Sequence, residues 1–159
     1  MLAKPVLPAM NTIPRPALFL GLAGLLPFLW GAASAISPSL ASTGQQLLGQ
    51  RLTGVACLIA YGTVILCFMS GVLWGFAARA RDPDAWGGYV LSVLPALWAF
   101  FMVGGGQDAA LSALIVGFVA LLAADHQLSA WGMTPRWWMR LRLGLTVVVV
   151  PCLVAGFYV

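Results

Sequence analysis

The sequence predicts an all-α, polytopic membrane protein: a five-helix transmembrane bundle forming one domain over residues 1–159, with the N-terminus cytoplasmic and the C-terminus periplasmic. Three observations predict it. Hydrophobic residues make up 62% of the chain and charged residues only 8%, where a soluble domain carries about a quarter charged residues, so the surface must face lipid. Five apolar stretches, near Ala17–Ile36, Leu52–Ala78, Trp86–Val103, Ala109–Ala124 and Leu141–Val159, approach the ~20 residues of a bilayer crossing. The cations also segregate. With five crossings Lys4, Arg15, Arg79, Arg81, Arg136, Arg140 and Arg142 share one side and Arg51 alone takes the other, and the positive-inside rule makes the richer side cytoplasmic. The apolar runs are continuous, not alternating, which argues against a transmembrane β-barrel.

The first crossing opens with "IPRPALFLGLAGLLPFLWG". Pro16 suits an early helical position, where no backbone donor is missed. Pro27 lies inside and should kink the helix by freeing the carbonyl of Ala23. Lys4, Arg15 and the small residues Ala33-Ser34-Ala35 resemble a signal peptide, but the apolar run is long for one, so a retained span is expected. The following "SPSLASTGQQLLGQ" reads as a polar, uncharged loop on the non-cytoplasmic face.

The second crossing carries "YGTVILCFMSGVLWG". Gly71 and Gly75 form a GxxxG pair that lets helix backbones approach closely in lipid, within the bundle or against a partner. Tyr61 lies deep enough to need an acceptor on a neighbouring helix or a carbonyl freed by a proline kink. Trp74, near the cytoplasmic end, reads as an interfacial tryptophan. In the next turn Asp82 reads as an N-cap with Pro83 in the first helical position, and Asp84 complements the positive end of that helix. The third crossing contains Pro95, a helix-packing position and a second interior proline; Pro151 in the last crossing is a third. "GGGQDAA" joins crossings three and four, with Asp108 as a cap. Thr134-Pro135 repeats the cap-then-proline pattern before the fifth.

Chemistry concentrates in "AADHQLSAWGMTPRWWMRLRL" (Ala123–Leu143), which holds the one histidine of the chain. Asp125 and His126 are expected to end the fourth crossing. Asp125 can pair across the turn with Arg140 or Arg142, pinning two helices together. Trp131, Trp137 and Trp138 read as an interfacial belt, and Arg136, with the other arginines, as a contact for lipid phosphate. A lone histidine without a second ligand at metal spacing is not a metal site, and no serine–histidine–acid set or paired carboxylate accompanies it. No titratable side chain is expected near mid-membrane, which disfavours an ion-coupled carrier. Cys57 and Cys67 lie about 15 Å apart along one helix and cannot bridge; with Cys152 they read as three buried apolar fillers. No catalytic residue, metal or cofactor is expected. The net charge of +4 is the topological asymmetry itself, pointing to anionic lipid headgroups and not nucleic acid.

"IPRPALFLGLAGLLPF", "YGTVILCFMSGVLWG", "SVLPAL" and "PRWWMRLRLGLTVVVV" together resemble an uncharacterised family of small proteobacterial inner-membrane proteins, a domain of unknown function related to the mitochondrial transmembrane protein sixty-nine of animals. The resemblance runs from Ile13 to about Val150. Its pattern falls on Tyr61, Gly71, Trp74, Gly75, Pro95, Asp125, Trp137, Arg140, Arg142 and Thr146. The chain departs from it at Leu73, where relatives often carry histidine, at Trp138, which replaces a usual tyrosine, and at Gly144, which replaces a usual proline. The resemblance implies an energy-transducing membrane as the location and supplies no established activity. A non-enzymatic accessory or assembly subunit of a membrane complex, bound to a membrane-protein partner or to its own copies, is the leading expectation. The alternative is a small facilitator for an uncharged or lipid-like solute, with a cavity beside the interior prolines. A third reading, an enzyme using Asp125 and His126 on a membrane-surface substrate, is the weakest.

Overall fold

The computed structural model describes residues 12–80 and 86–158, and every described element is helical: α1 (Arg15–Ala23), α2 (Leu26–Ile36), α3 (Pro38–Leu48), α4 (Gly54–Arg79), α5 (Trp86–Met102), α6 (Gln107–Ala130) and α7 (Trp138–Ala155). Short 3-10 turns precede α4 (Gln50–Leu52) and follow α7 (Gly156–Tyr158). Lys4, Arg81, Asp82, Pro83 and Asp84, to which the sequence reading assigned charge and capping roles, lie outside the described residues. Four segments are long and apolar enough to cross a membrane: Arg15–Ile36 with 22 residues, Gly54–Arg79 with 26, Gln107–Ala130 with 24 and Trp138–Tyr158 with 21. The remaining apolar helix, α5, has 17 residues.

The first of these segments is broken where Pro27 requires it. Pro27 has no N–H to give the Ala23 carbonyl, so α1 stops at Ala23 and the Leu25 amide bonds Leu22 three residues back (3.0 Å); regular pairing resumes with the Leu29 amide on Leu25 (3.0 Å). The Tyr61 hydroxyl, from α4, donates to the Gly24 carbonyl inside the break at 3.1 Å. Tyr61 thus finds its acceptor in the kinked segment of a neighbouring helix.

The polar stretch after α2 is a correction. It forms α3, an 11-residue helix, where a loop was expected. Ser37 is extended and Pro38 occupies the first turn, so the cap-then-proline signal was present here too. Gly49, at φ +83°, ends it. Trp30 of α2 donates to the Leu52 carbonyl (2.8 Å) and Ser34 accepts from the Gly54 amide (2.8 Å), tying the end of α2 to the start of α4.

α4 packs on α2, α5 and α6, while α7 closes the bundle against α6 and α2. Phe28, Leu58, Leu66, Leu73, Leu114, Phe118 and Leu121 form its buried core. Close approach depends on Gly62 and Gly117. A Cβ on Gly62 would stand 3.0 Å from Leu114 Cδ1, and one on Gly117 would stand 2.6 Å from Leu66 and 3.1 Å from Trp98. α5 is held by two polar contacts: the Ser70 hydroxyl donates to the Ser92 carbonyl, and Trp98 Nε1 donates to the Ala113 carbonyl at 2.7 Å. Pro95 is buried inside α5, where it leaves the Leu91 carbonyl without its helical donor.

Helix ends differ from expectation in three places. α6 runs on past Ala124 to Ala130, and Asp125 and His126 lie inside it. Its true stop is Gly132 at φ +71°, with the Gly132 amide on Ser129 (3.0 Å) and the Met133 amide on Leu128 (3.0 Å), a paired termination that a left-handed glycine makes possible. Asp108 is not the cap of α6; Gly106 is, and Asp108 sits in the first turn. Thr134 and Pro135 do not start α7, which begins at Trp138 after Trp137; the Thr134 hydroxyl instead pairs with that of Ser129 at 2.6 Å. Cys57 and Cys152 are buried as expected of fillers, but Cys67 is exposed.

Candidate functional site

The pairing of α6 with α7 takes two charged side chains, Asp125 and Arg142, into the interior. Asp125 is 0% exposed. Its Oδ2 accepts from Arg142 Nε at 2.7 Å and its Oδ1 from Trp138 Nε1 at 2.6 Å. Trp138 and Arg142 are four residues apart on α7 and therefore share a face, so one helix face presents two donors to a single carboxylate on the next. Phe76 of α4 packs edge-on against the Trp138 ring, with centroids 4.9 Å apart, which braces the indole. Burying both charges is tolerable because each meets its opposite with short, directed hydrogen bonds.

The same face continues one turn further with Thr146, also buried. Arg142 Nη2 and Thr146 Oγ1 are both buried with no hydrogen-bond partner among the described residues. An unsatisfied buried donor costs about 1–3 kcal/mol, so a polar arrangement this complete on the Asp125 side is left open on the other. Arg142 and Thr146 also line a cavity of about 410 Å³ between α1, α2, α4 and α7, with Gly21, Gly24, Tyr61 and Leu145 among others. A second cavity of about 710 Å³ lies between α5 and α6, against Pro95, Trp98 and Gly117, and is lined almost wholly by apolar side chains.

The structure sorts the residues singled out from sequence. Asp125 meets Arg142 and not Arg140, which is exposed, as is Arg136. Trp138 is a correction: expected in the interfacial belt, it is only 9% exposed and is a ligand of the carboxylate. Trp131 is 46% exposed and lies over α5, where a Cβ on Gly87 would stand 3.1 Å from its ring. Trp74 is half-exposed and packs edge-on against Tyr89 at 4.8 Å; Trp137 is partly buried. Gly71 and Gly75 are a correction for packing within the bundle. Both are exposed, and a Cβ at either would meet nothing within 4 Å among the described residues. His126 is exposed on the side of α6 away from its buried neighbour Asp125, because consecutive helical residues do not face each other. Thr146 and Trp138 had no assigned role in this site; their four-residue spacing about Arg142 was the available signal.

Residues 13–158 match the family described as "Protein of unknown function (DUF3429)", and the chain belongs to that family. It is similar to Transmembrane protein 69 of Xenopus tropicalis, 34% identical over 93% of this chain and 56% of that protein. It is also similar to Transmembrane protein 69 of Mus musculus, 30% identical over 85% of this chain and 52% of that protein. The chain thus spans about half the length of these relatives. No solved structure matches it. With its apolar helices, these relatives make it a multi-pass membrane protein of unknown activity.

Proposed function

We propose that this DUF3429 chain is a non-enzymatic accessory or assembly subunit of a membrane complex, built of five crossings with α5 as the short third one. The observation that carries the proposal is the outer face of α4. Val64, Phe68, Gly71, Trp74 and Gly75 recur at helical spacing, all are exposed, and a Cβ on either glycine would meet nothing within 4 Å among the described residues. In lipid, helices associate by close packing and not by hydrophobic expulsion, so a small-residue face is suited to a second helix. The buried chemistry points the same way. Asp125 is occupied by Arg142 and Trp138, and His126 is exposed on the other side of α6, so the two form no joint reactive site.

In this reading the N-terminus is cytoplasmic, the C-terminus lies across a bacterial inner membrane, and Arg136 and Arg140 meet anionic headgroups, as the charge asymmetry supports. Purification from native membranes in mild detergent tests it. A stoichiometric membrane-protein partner, or a stable homo-oligomer, is expected for the natural chain and is lost in Gly71→Leu. Recovery of a lone monomer from the natural chain overturns it.

A second reading, a facilitator for an uncharged or lipid-like solute, is favoured by the cavity beside Pro95. Ala120→Trp would fill that cavity and abolish solute flux into liposomes, while leaving any partner bound.

A further inference from the structure

We propose that the cavity between α1, α2, α4 and α7 is a binding site for a lipid-soluble molecule bearing an uncharged carbonyl oxygen, which Arg142 Nη2 and Thr146 Oγ1 hold by hydrogen bonds. The two atoms are buried without partners among the described residues, and both residues line the same cavity of about 410 Å³. They stand one turn apart on one face of α7. Guanidinium is a donor only, and a hydroxyl can donate, so what completes the site is an acceptor.

Charge decides which acceptor. Arg142 is already neutralised by Asp125 at 2.7 Å. A carboxylate or phosphate brought to Nη2 would leave a net negative charge in a low-dielectric site, where an unbalanced ion is strongly disfavoured. A carbonyl or ester oxygen accepts the same hydrogen bonds without that penalty. The rest of the lining favours a hydrophobic body on the ligand. Leu25, Phe28, Ile65, Met69, Leu145 and Val149 are apolar, and the one other hydroxyl, of Tyr61, is committed to Gly24. An apolar cavity of this size does not hold water well, since each buried water needs two to four polar partners.

Access and depth agree with a molecule entering from the bilayer. Leu20 and Phe68 line the cavity yet are 71% and 64% exposed, so it opens on the outer surface of the bundle. Arg142 lies four residues into α7, about 6 Å from its start, so with α7 as a crossing the donors stand near one end of it and the apolar lining extends from them. An amphiphile with its carbonyl near the interface and its chain toward mid-membrane fits this order.

The chemistry is shared by two sources, the acyl esters of bilayer lipid and a free lipophilic ketone or quinone, and the site does not depend on the α4 partner face. Native mass spectrometry of the full chain in detergent separates them, using a diester phosphatidylethanolamine, its diether analogue lacking carbonyls, and decylubiquinone as probes. Retention of the diester over the diether, or of decylubiquinone, is expected, and Thr146→Val should weaken whichever is retained by about fivefold, the value of one hydrogen bond. Gly21→Leu, which fills the cavity beside Leu145, should abolish retention while leaving Asp125, Trp138 and Arg142 untouched. Diester preference assigns the site to bilayer lipid, and decylubiquinone retention assigns it to a free carbonyl compound. Equal retention of diester and diether without decylubiquinone, or no change in Thr146→Val at an unaltered melting temperature, overturns the proposal.

Discussion

Two regions of this molecule break the usual rules of a membrane helix in opposite senses. At the α6–α7 turn, charged and polar side chains are taken inside: Asp125 is 0% exposed and Arg142 4%. On the outer face of α4, the small residues that would permit close packing are left outside, and a Cβ on Gly71 or Gly75 would meet nothing within 4 Å among the described residues. The first region is closed by contacts the chain supplies itself, except for two donors. The second is an exposed surface that no described part of the chain covers. A polar residue in lipid must be paired internally, so the chain cannot leave Asp125 to chance. A glycine on a lipid-facing surface carries no such obligation and can wait for a partner.

The largest effect should come from breaking the first region. Asp125→Ala removes the acceptor of both Arg142 and Trp138 and leaves a buried guanidinium without its counter-charge. A loss of about 3–5 kcal/mol is expected, as for one partner removed from a buried ion pair, and is read from thermal or denaturant unfolding in detergent. Asp125→Ala combined with Arg142→Met should recover much of that loss, because an apolar pair of similar volume can replace a buried ion pair. If the double substitution is no better than the single one, the carboxylate matters for something other than charge balance.

Next in size is Trp138→Phe, which keeps an aromatic ring against Phe76 but removes the Nε1 donor to Asp125. A hydrogen bond to a charged group contributes about 1.5–3 kcal/mol, so the melting temperature should fall by less than in Asp125→Ala. The same loss in an Asp125→Ala background should be small, since the two act on one carboxylate. Gly117→Val is of similar magnitude by a different route. Its Cβ would meet Leu66 and Trp98 at 2.6 and 3.1 Å, and overpacking of this kind costs about 1–3 kcal/mol.

The contrast also explains what was legible in the sequence. Composition and apolar run length exposed the crossings because lipid demands them of any chain. Pro27 and Tyr61 were legible as a pair of needs, a broken helix and a hydroxyl seeking an acceptor, and the structure joins them at Gly24. Asp125 was legible as a pairing acid, but with two arginines available only the rotation of α7 chooses Arg142 over Arg140. That rotation is hard to read: a helix apolar all round has no face that declares itself, which is also why Gly71 and Gly117 look alike in sequence and lie on opposite sides of the packing. Trp138 was misplaced for the same reason, while Trp131 and Trp74, also read as interfacial, are exposed. α3 and the end of α6 were missed although their signals were local. Ser37-Pro38 marks a helix start as clearly as any other cap-then-proline pair, and Gly132, not the polar residues Asp125 and His126, is the stop.

Arg140→Gln and Arg142→Gln make the comparison within a single helix. The two arginines are two residues apart, so they point to different sides of α7. Arg142→Gln should cost nearly as much as Asp125→Ala, leaving a buried carboxylate with Trp138 alone. Arg140→Gln should leave unfolding within about 0.5 kcal/mol of the natural chain, as for an exposed side chain away from buried features, and should instead weaken association with vesicles containing anionic lipid.

The smallest effect on the fold is expected at Gly71. With nothing within 4 Å of its Cβ, Gly71→Leu creates no clash inside the chain and exchanges a poor helix former for a good one, a gain of up to about 1 kcal/mol. Unfolding of the monomer should therefore be unchanged or slightly more stable, in contrast to Gly117→Val, which carries a similar increase in size. If Gly71→Leu and Gly117→Val destabilise the isolated monomer equally, α4 is rotated from the position described and the division between a closed interior and an open face fails. If only Gly117→Val destabilises it while Gly71→Leu removes a native partner, the two glycines serve separate surfaces. In that outcome Gly117 lets the chain pack on itself, and Gly71 serves the contact with the partner.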